Sequence, residues 1–459
     1  MALFVWAKRL DSSTKAAKQH EKNLEHAHHH YNRFSRFLRI LGPGVVTGAA
    51  DDDPSGIATY SQAGAVYGYG LLWLFPIMYP LLLAVQEACA RIGAVTGSGL
   101  AAILKKHYSR KVLLVAVMLV VVANTVNIGS DLAAMSATVQ LFAPNVPYIG
   151  LAVFFALLCV GLQIFVPYRV YAKILKWLAI ALFAYPVTAF MVGQPWGEIF
   201  RTTFIPNLNL DRNTIYIMVG ILGTTISPYL FFWNTSEVVE DEIATHRIRA
   251  SSGTGTPRIS HRFIRKIRLD NIAGMTLASV SAWFIVIACA STLHAHGITV
   301  INNANDAAAA LEPLVHGFPN AGLIAKILFS FGIIGIGLLA VPVLAGSSSY
   351  AISEALGLRE GLYRKFSKAH GFYIIIALAT LAGLVINIIG IDPIQALIFT
   401  AVFNAVASVP LLWMIFRVGN NREVMGEYHN KLLSNLGVLA AFALMAVASL
   451  VLFWSVIAH

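Results

Sequence analysis

Charge is scarce in this chain. Only 12 % of its 459 residues are Asp, Glu, Lys or Arg, while 57 % are apolar and the mean hydropathy is +0.70. So little charge leaves no room for a soluble domain between the apolar runs, and the chain reads as a polytopic membrane protein. Cysteine is also sparse. Cys89, Cys159 and Cys289 fall in apolar runs without paired spacing, which supports neither a disulfide framework nor a zinc site and leaves them as packing residues. No signal-peptide core precedes the first apolar run. His-rich metal sets and a nucleophile with its base are missing from the spans, which argues against an integral-membrane metal-dependent enzyme.

The charge that is present has a direction. Net charge is +11 at pH 7. With a cytoplasmic N-terminus and eleven spans, the basic residues gather on the inner segments 8–39, 91–111, 169–176, 247–268, 359–368 and 417–431. Outer loops hold Arg201 and Arg212, and Lys326 lies near the outer start of a span. The positive-inside rule then fixes the orientation. Excess positive charge reports contact with the anionic inner leaflet of a lipid bilayer, not with nucleic acid. The expected location is a cell membrane, a bacterial inner one, crossed many times. No obligatory protein partner is implied.

Apolar runs at about 41–64, 70–93, 111–141, 147–166, 171–192, 213–239, 272–293, 321–356, 371–390, 393–416 and 435–457 each suit one crossing of roughly 20 residues. The run at 321–356 is overlong. Residues 1–38 form a basic segment in which His26, His28, His29 and His30 read as a solvated tail rather than a metal site. A basic Ser/Gly/Thr/Pro stretch, 241–268, is expected to be a flexible cytoplasmic loop between two halves.

The chain is organised around residues 48–64, G-A-A-D-D-D-P-S-G-I-A-T-Y-S-Q-A-G. Three carboxylates, a proline and a glycine predict a helix break at 53–56, because Pro54 cannot donate to the helix ladder. The sixth span is expected to break at 227–228, before Pro228. Five spans separate the breaks. Interrupted helices at equivalent places in successive five-span units point to an inverted repeat with its site at the midplane. The predicted fold is thus an all-α integral membrane protein: a first repeat over 39–192, a second over 193–416, and an eleventh helix within 417–459.

At such a site Asp53 supplies a hard oxygen and a negative charge. Unwinding before Pro228 frees backbone carbonyls at Thr224 and Thr225, and Ser227 adds a hydroxyl. This all-oxygen set suits Mg, Ca or Mn, and with so few protein ligands it favours Mg, which keeps its waters. Asp51 and Asp52 widen the negative field, although neighbours on a helix point apart, so only some of the three face one ion. Asn124, Asn127 and Asp131 share a helix face and either line an aqueous path or bond neighbouring helices. Asn404 is similar. Glu237, Glu240 and Asp241 either line the inner vestibule or mark a solvated helix end.

These residues carry a resemblance. G-P-G-V-V-T-G-A-A-D-D-D-P-S-G, followed by I-A-T-Y-S-Q-A-G, resembles the first-span signature of the natural-resistance-associated macrophage protein (NRAMP) family of divalent-metal transporters. G-T-T-I-S-P-Y resembles its sixth-span signature, and Ser130-Asp131-Leu132-Ala133 a third-span motif. The resemblance implies a LeuT-like fold and import of a divalent metal ion, as substrate rather than cofactor, by alternating access. It also implies metal ligation by Asp53, with a backbone carbonyl at Thr224. The departures are informative. Gly56 replaces the family's ligand asparagine, Ser227 its methionine, Tyr229 its histidine and Ala134 its glutamate, and no arginine stands in the ninth span. These losses resemble the NRAMP-related magnesium transporters, thought to carry a largely hydrated ion without proton coupling. The expectation is therefore Mg2+, with Mn2+ next. A proton-coupled Mn2+/Fe2+ transporter of ordinary NRAMP type is the alternative. An amino-acid carrier of the same fold is disfavoured because three carboxylates would repel its substrate.

Overall fold

The computed structural model describes residues 47–48, 50–166, 184–206, 211–245, 248, 259–301, 304–312, 320–389 and 392–457. The histidine-rich segment lies outside them, as does most of the expected fifth span. Among the described residues every regular element is helical. In chain order the helices are α1 (Pro54–Tyr67), α2 (Leu74–Thr96), α3 (Leu100–His107), α4 (Arg110–Gln140), α5 (Tyr148–Phe165), α6 (Ala184–Met191), α7 (Trp196–Phe204) and α8 (Arg212–Thr225). There follow α9 (Pro228–Ala244), α10 (His261–Thr292), α11 (Ala304–Ala309), α12 (Ala321–Leu356), α13 (His370–Ile386), α14 (Pro393–Asn420) and α15 (Leu432–Ile457).

Seven of the described helical stretches are long and apolar enough to cross a membrane, with α8 and α9 counted as one interrupted stretch. The bent pair α2 and α3, meeting at 75°, makes an eighth. Of the other three expected runs, the first is restarted by Pro54 as the 14-residue α1, the ninth forms the 17-residue α13, and the fifth is described only over α6. α12 runs for 36 residues, so the long run at 321–356 is one continuous helix.

The expected loop at 241–268 is shorter than its composition suggested. α9 continues to Ala244, and α10 begins at His261, where Ser260 accepts a hydrogen bond from the Phe263 amide at 3.2 Å. That serine N-cap starts the helix inside the basic stretch. Glu240 is likewise no solvated helix end. Its carboxylate accepts from Tyr350 Oη at 2.6 Å and from the amides of Leu362 and Tyr363 at 2.7 and 3.0 Å, tying α9 to the chain after α12.

Packing brings the two breaks together. α1 lies against α10, α8 and α14, while α4 runs along α12, α13 and α14. Backbone approach is closest at Gly223, where a Cβ would sit 2.0 Å from the Ala401 carbonyl oxygen. Only glycine lets α14 press on α8 one residue before Thr224. All three cysteines are buried thiols in the packing.

Candidate metal site

Helix character before the first break extends to Asp51, and the chain leaves it at Asp52 and Asp53. The break is thus one residue earlier and shorter than 53–56. Asp53 is the N-cap of α1 and Pro54 its first residue, where a missing N–H costs nothing, so Ser55 and Gly56 are helical. The second break falls at Ile226 and Ser227, with Pro228 opening α9 in the same way.

Each proline deprives the carbonyl four residues earlier of its helical donor. For Pro54 that carbonyl is Ala50, and for Pro228 it is Thr224. Both are satisfied by hydroxyls. Tyr229 donates to Ala50 O at 2.7 Å, and Ser227 Oγ lies 2.7 Å from Thr224 O and 2.8 Å from Gly223 O. Tyr60 Oη meets Thr225 Oγ1 at 3.0 Å, and Ser55 Oγ is 3.4 Å from Thr224 Oγ1. Thr47 meets Glu237, Ala50 meets Tyr229 and Thr59 lies against Gly220, so the two interrupted helices run antiparallel.

Asp53 is the best-supported carboxylate. Its Oδ1 accepts from Ser55 Oγ at 2.5 Å and from the Gly56 amide at 2.9 Å, and its Oδ2 accepts from Asn127 Nδ2 at 2.9 Å. Every one of these donors is neutral. Asp51, Asp52, Asp53 and Asp131 are 2, 3, 1 and 0 % exposed. Among the described residues none of the four has a basic partner, and the charges bearing on them are one another. Asp51 Oδ1, Asn127 Oδ1 and both oxygens of Asp131 have no hydrogen-bond partner. Buried anions persist when a positive charge joins them, and this constellation offers bare oxygens to a cation.

The other expected residues divide. Asn124 donates to Leu344 O at 3.1 Å and to Ser348 Oγ at 3.0 Å, so it bonds a neighbouring helix. Asn404 is buried with neither amide atom hydrogen-bonded. Thr225 returns its hydroxyl to Ile221 O at 2.8 Å. Gly56 abuts the site: a Cβ there would lie 3.1 Å from Thr224 Oγ1 and 3.3 Å from the Tyr60 ring. Ser55 and Tyr60 belong to the constellation but did not stand out in the sequence. A serine two residues after an N-cap aspartate, as at Ser55, is the local signal that would have found the first.

Known proteins resemble this chain in sequence and in fold. The chain is similar to a divalent metal cation transporter MntH from Verminephrobacter eiseniae, 27 % identical over 421 residues, covering 89 % of this chain and 88 % of the relative. It is also similar to divalent metal cation transporter MntH 1 from Pseudomonas aeruginosa, 24 % identical over 90 % of this chain and 91 % of the relative. Among solved structures, the Eremococcus coleocola manganese transporter in complex with an aromatic bis-isothiourea substituted compound superposes with a TM-score of 0.72. That match is 15 % identical and covers 92 % of this chain and 88 % of the other. MhsT in complex with L-phenylalanine superposes at 0.61, with 12 % identity over 90 % and 98 % of the two chains. The structural likenesses speak for the fold alone. The sequence from residue 44 to residue 455 matches the family described as natural resistance-associated macrophage protein-like, and with that match the chain belongs to the NRAMP family.

Proposed function

We propose that this protein is a membrane transporter that imports a hard divalent cation by alternating access, Mg2+ by preference and Mn2+ next. The carrying observation is the set of buried carboxylates Asp51, Asp52 and Asp53 at the first break, with Asp131 of α4 bearing on Asp53, and among the described residues no basic partner for any of them. Asp53 is the charged ligand in this reading, with oxygens of Thr224 and Ser227 on the opposite break. The Ser227 proton is given to a backbone carbonyl, which leaves its lone pairs for a cation. Among the described residues no three His, Cys, Asp or Glu side chains converge as a metal cage. An ion held by so few protein groups keeps several waters, which favours Mg2+ over softer metals.

Repeat boundaries at 39–192 and 193–416, an eleventh helix beyond them, and a cytoplasmic N-terminus in a bacterial inner membrane complete the proposal. The antiparallel contact between the breaks supports the repeat. Transport is uncoupled from protons in this reading, because Tyr229 and Ala134 replace titratable side chains and a phenol holds its proton near neutral pH. Membrane potential suffices as driving force. Two charges falling through 100 mV release about 4.6 kcal/mol, enough for roughly a 2,000-fold gradient at about 1.4 kcal/mol per tenfold.

Proton-coupled Mn2+ import is the second reading. It is favoured by Asp131, a buried carboxylate whose oxygens are unpartnered and whose charge bears on Asp53. Uptake of Mg2+, Mn2+ and Ca2+ into sealed vesicles, against an amino-acid mixture, tests the function. Mg2+ and Mn2+ entry without amino-acid uptake is expected. Amino-acid uptake alone contradicts the proposal.

A further inference from the structure

The ends of α2, α10 and α15 that the proposed topology places inside meet at a corner where donors, not acceptors, are left over. Arg91 of α2 is 5 % exposed. Its Nη2 makes every contact, 2.6 Å to Asn430 Oδ1, 2.9 Å to Ser434 Oγ and 3.2 Å to Glu87 Oε2. Nε and Nη1 of the same guanidinium have no hydrogen-bond partner among the described residues. Asn430 is 4 % exposed, and its Nδ2 is likewise a donor without a partner. Spare N–H groups in such a place call for an acceptor.

Charge is unbalanced in the same sense. Glu87 also accepts Arg268 Nη2 of α10 at 2.9 Å, so two guanidiniums share one carboxylate. The charges bearing on Arg91 are those of Glu87 and Arg268, which leaves the corner with a positive charge in excess. The His261 ring, 5.3 Å from that of Tyr428, ties the start of α10 to the turn ahead of α15. α15 opens at Leu432, and the amides of a first helical turn have no helical acceptor. Leu432 and Leu433 are 74 and 84 % exposed. A positive corner with spare N–H groups fits a phosphate, and leucines standing out beside it at the end of a span fit acyl chains.

We infer that this corner binds the phosphate of an anionic phospholipid in the inner leaflet, with Arg91 and Arg268 as its charged contacts and the first amides of α15 as neutral donors. Occupancy pairs the spare charge and braces α2, α10 and α15 against one another. The corner is separate from the helix breaks, so the result of its test leaves the transport reading where it stands.

Native mass spectrometry of the purified full-length protein in detergent, titrated with phosphatidylglycerol or with phosphatidylcholine, tests the site. The first phosphatidylglycerol should bind roughly tenfold more tightly than phosphatidylcholine, as a hydrogen bond to a charged group implies. Arg268→Ala alters an exposed side chain and should remove most of that difference, while Glu87→Gln, which frees both guanidiniums, should widen it. The ratio of the two lipids is read within each variant, so a change in the variant's own stability cancels. Arg110→Ala, at the exposed start of α4, should keep the wild-type ratio. Equal losses in Arg110→Ala and Arg268→Ala would mean diffuse attraction to a basic face and overturn the site, as would a wild-type ratio near one. Displacement of phosphatidylglycerol by an equal concentration of inorganic phosphate would overturn the assignment to a lipid.

Discussion

Tyr229 of the second break donates its hydroxyl to the carbonyl of Ala50 in the first, at 2.7 Å. The carbonyl needs this donor because Pro54 has no N–H to give it. Ser347 Oγ in turn donates to Tyr229 O at 2.8 Å, so α12 holds the same residue from behind. The residue standing where the family has a histidine thus joins the two interrupted helices.

Tyr229→Phe is expected to leave Ala50 O unsatisfied in a buried place, at about 1–3 kcal/mol. Thermal melting should fall and the transport rate drop several-fold, with the Mg2+-to-Mn2+ ratio unchanged. A melting temperature and rate equal to wild type would remove the hydroxyl from the account.

Asp53→Ala is expected to abolish divalent uptake in a folded protein. Alanine also deletes an N-cap, worth about 0.5–2 kcal/mol, so Asp53→Asn is the sharper variant, because asparagine caps as well as aspartate. It should melt near wild type and still transport nothing. Normal uptake by well-expressed Asp53→Asn would move the charged ligand to Asp51 or Asp52.

Ser227→Met with Gly56→Asn restores a thioether and an amide and should shift preference towards Mn2+ or Cd2+. Crowding at Gly56 adds a condition. With Thr224 Oγ1 3.1 Å from a new Cβ, Gly56→Asn alone should lower uptake of every ion. A double variant with an unchanged Mg2+-to-Mn2+ ratio would show that these positions do not set selectivity.

The breaks were legible in the sequence because proline acts on its own backbone, whatever surrounds it. The position of Asn127 followed from helical spacing with Asp131, but only packing could choose between an aqueous path and a helix contact. It turned Asn127 to Asp53 and Asn124 to Leu344. Tyr229 read as a lost histidine, since its bond to Ala50 spans 179 residues and depends on how the helices cross. Glu240 read as a vestibule or solvated acid because the chain that wraps it lies more than a hundred residues away. The helical start at His261 was hidden by composition, although Ser260 ahead of an apolar Phe263 carries the N-cap signal.

The central claim is potential-driven entry of Mg2+ without protons. Sealed vesicles containing the protein, a Mg2+ indicator and a pH indicator, under an imposed potassium diffusion potential, test it most directly. The account predicts Mg2+ entry that grows with inside-negative potential, is lost in Asp53→Asn, and leaves lumenal pH level with protein-free vesicles. Acidification in proportion to Mg2+ uptake would contradict it and make Asp131 the first residue to replace.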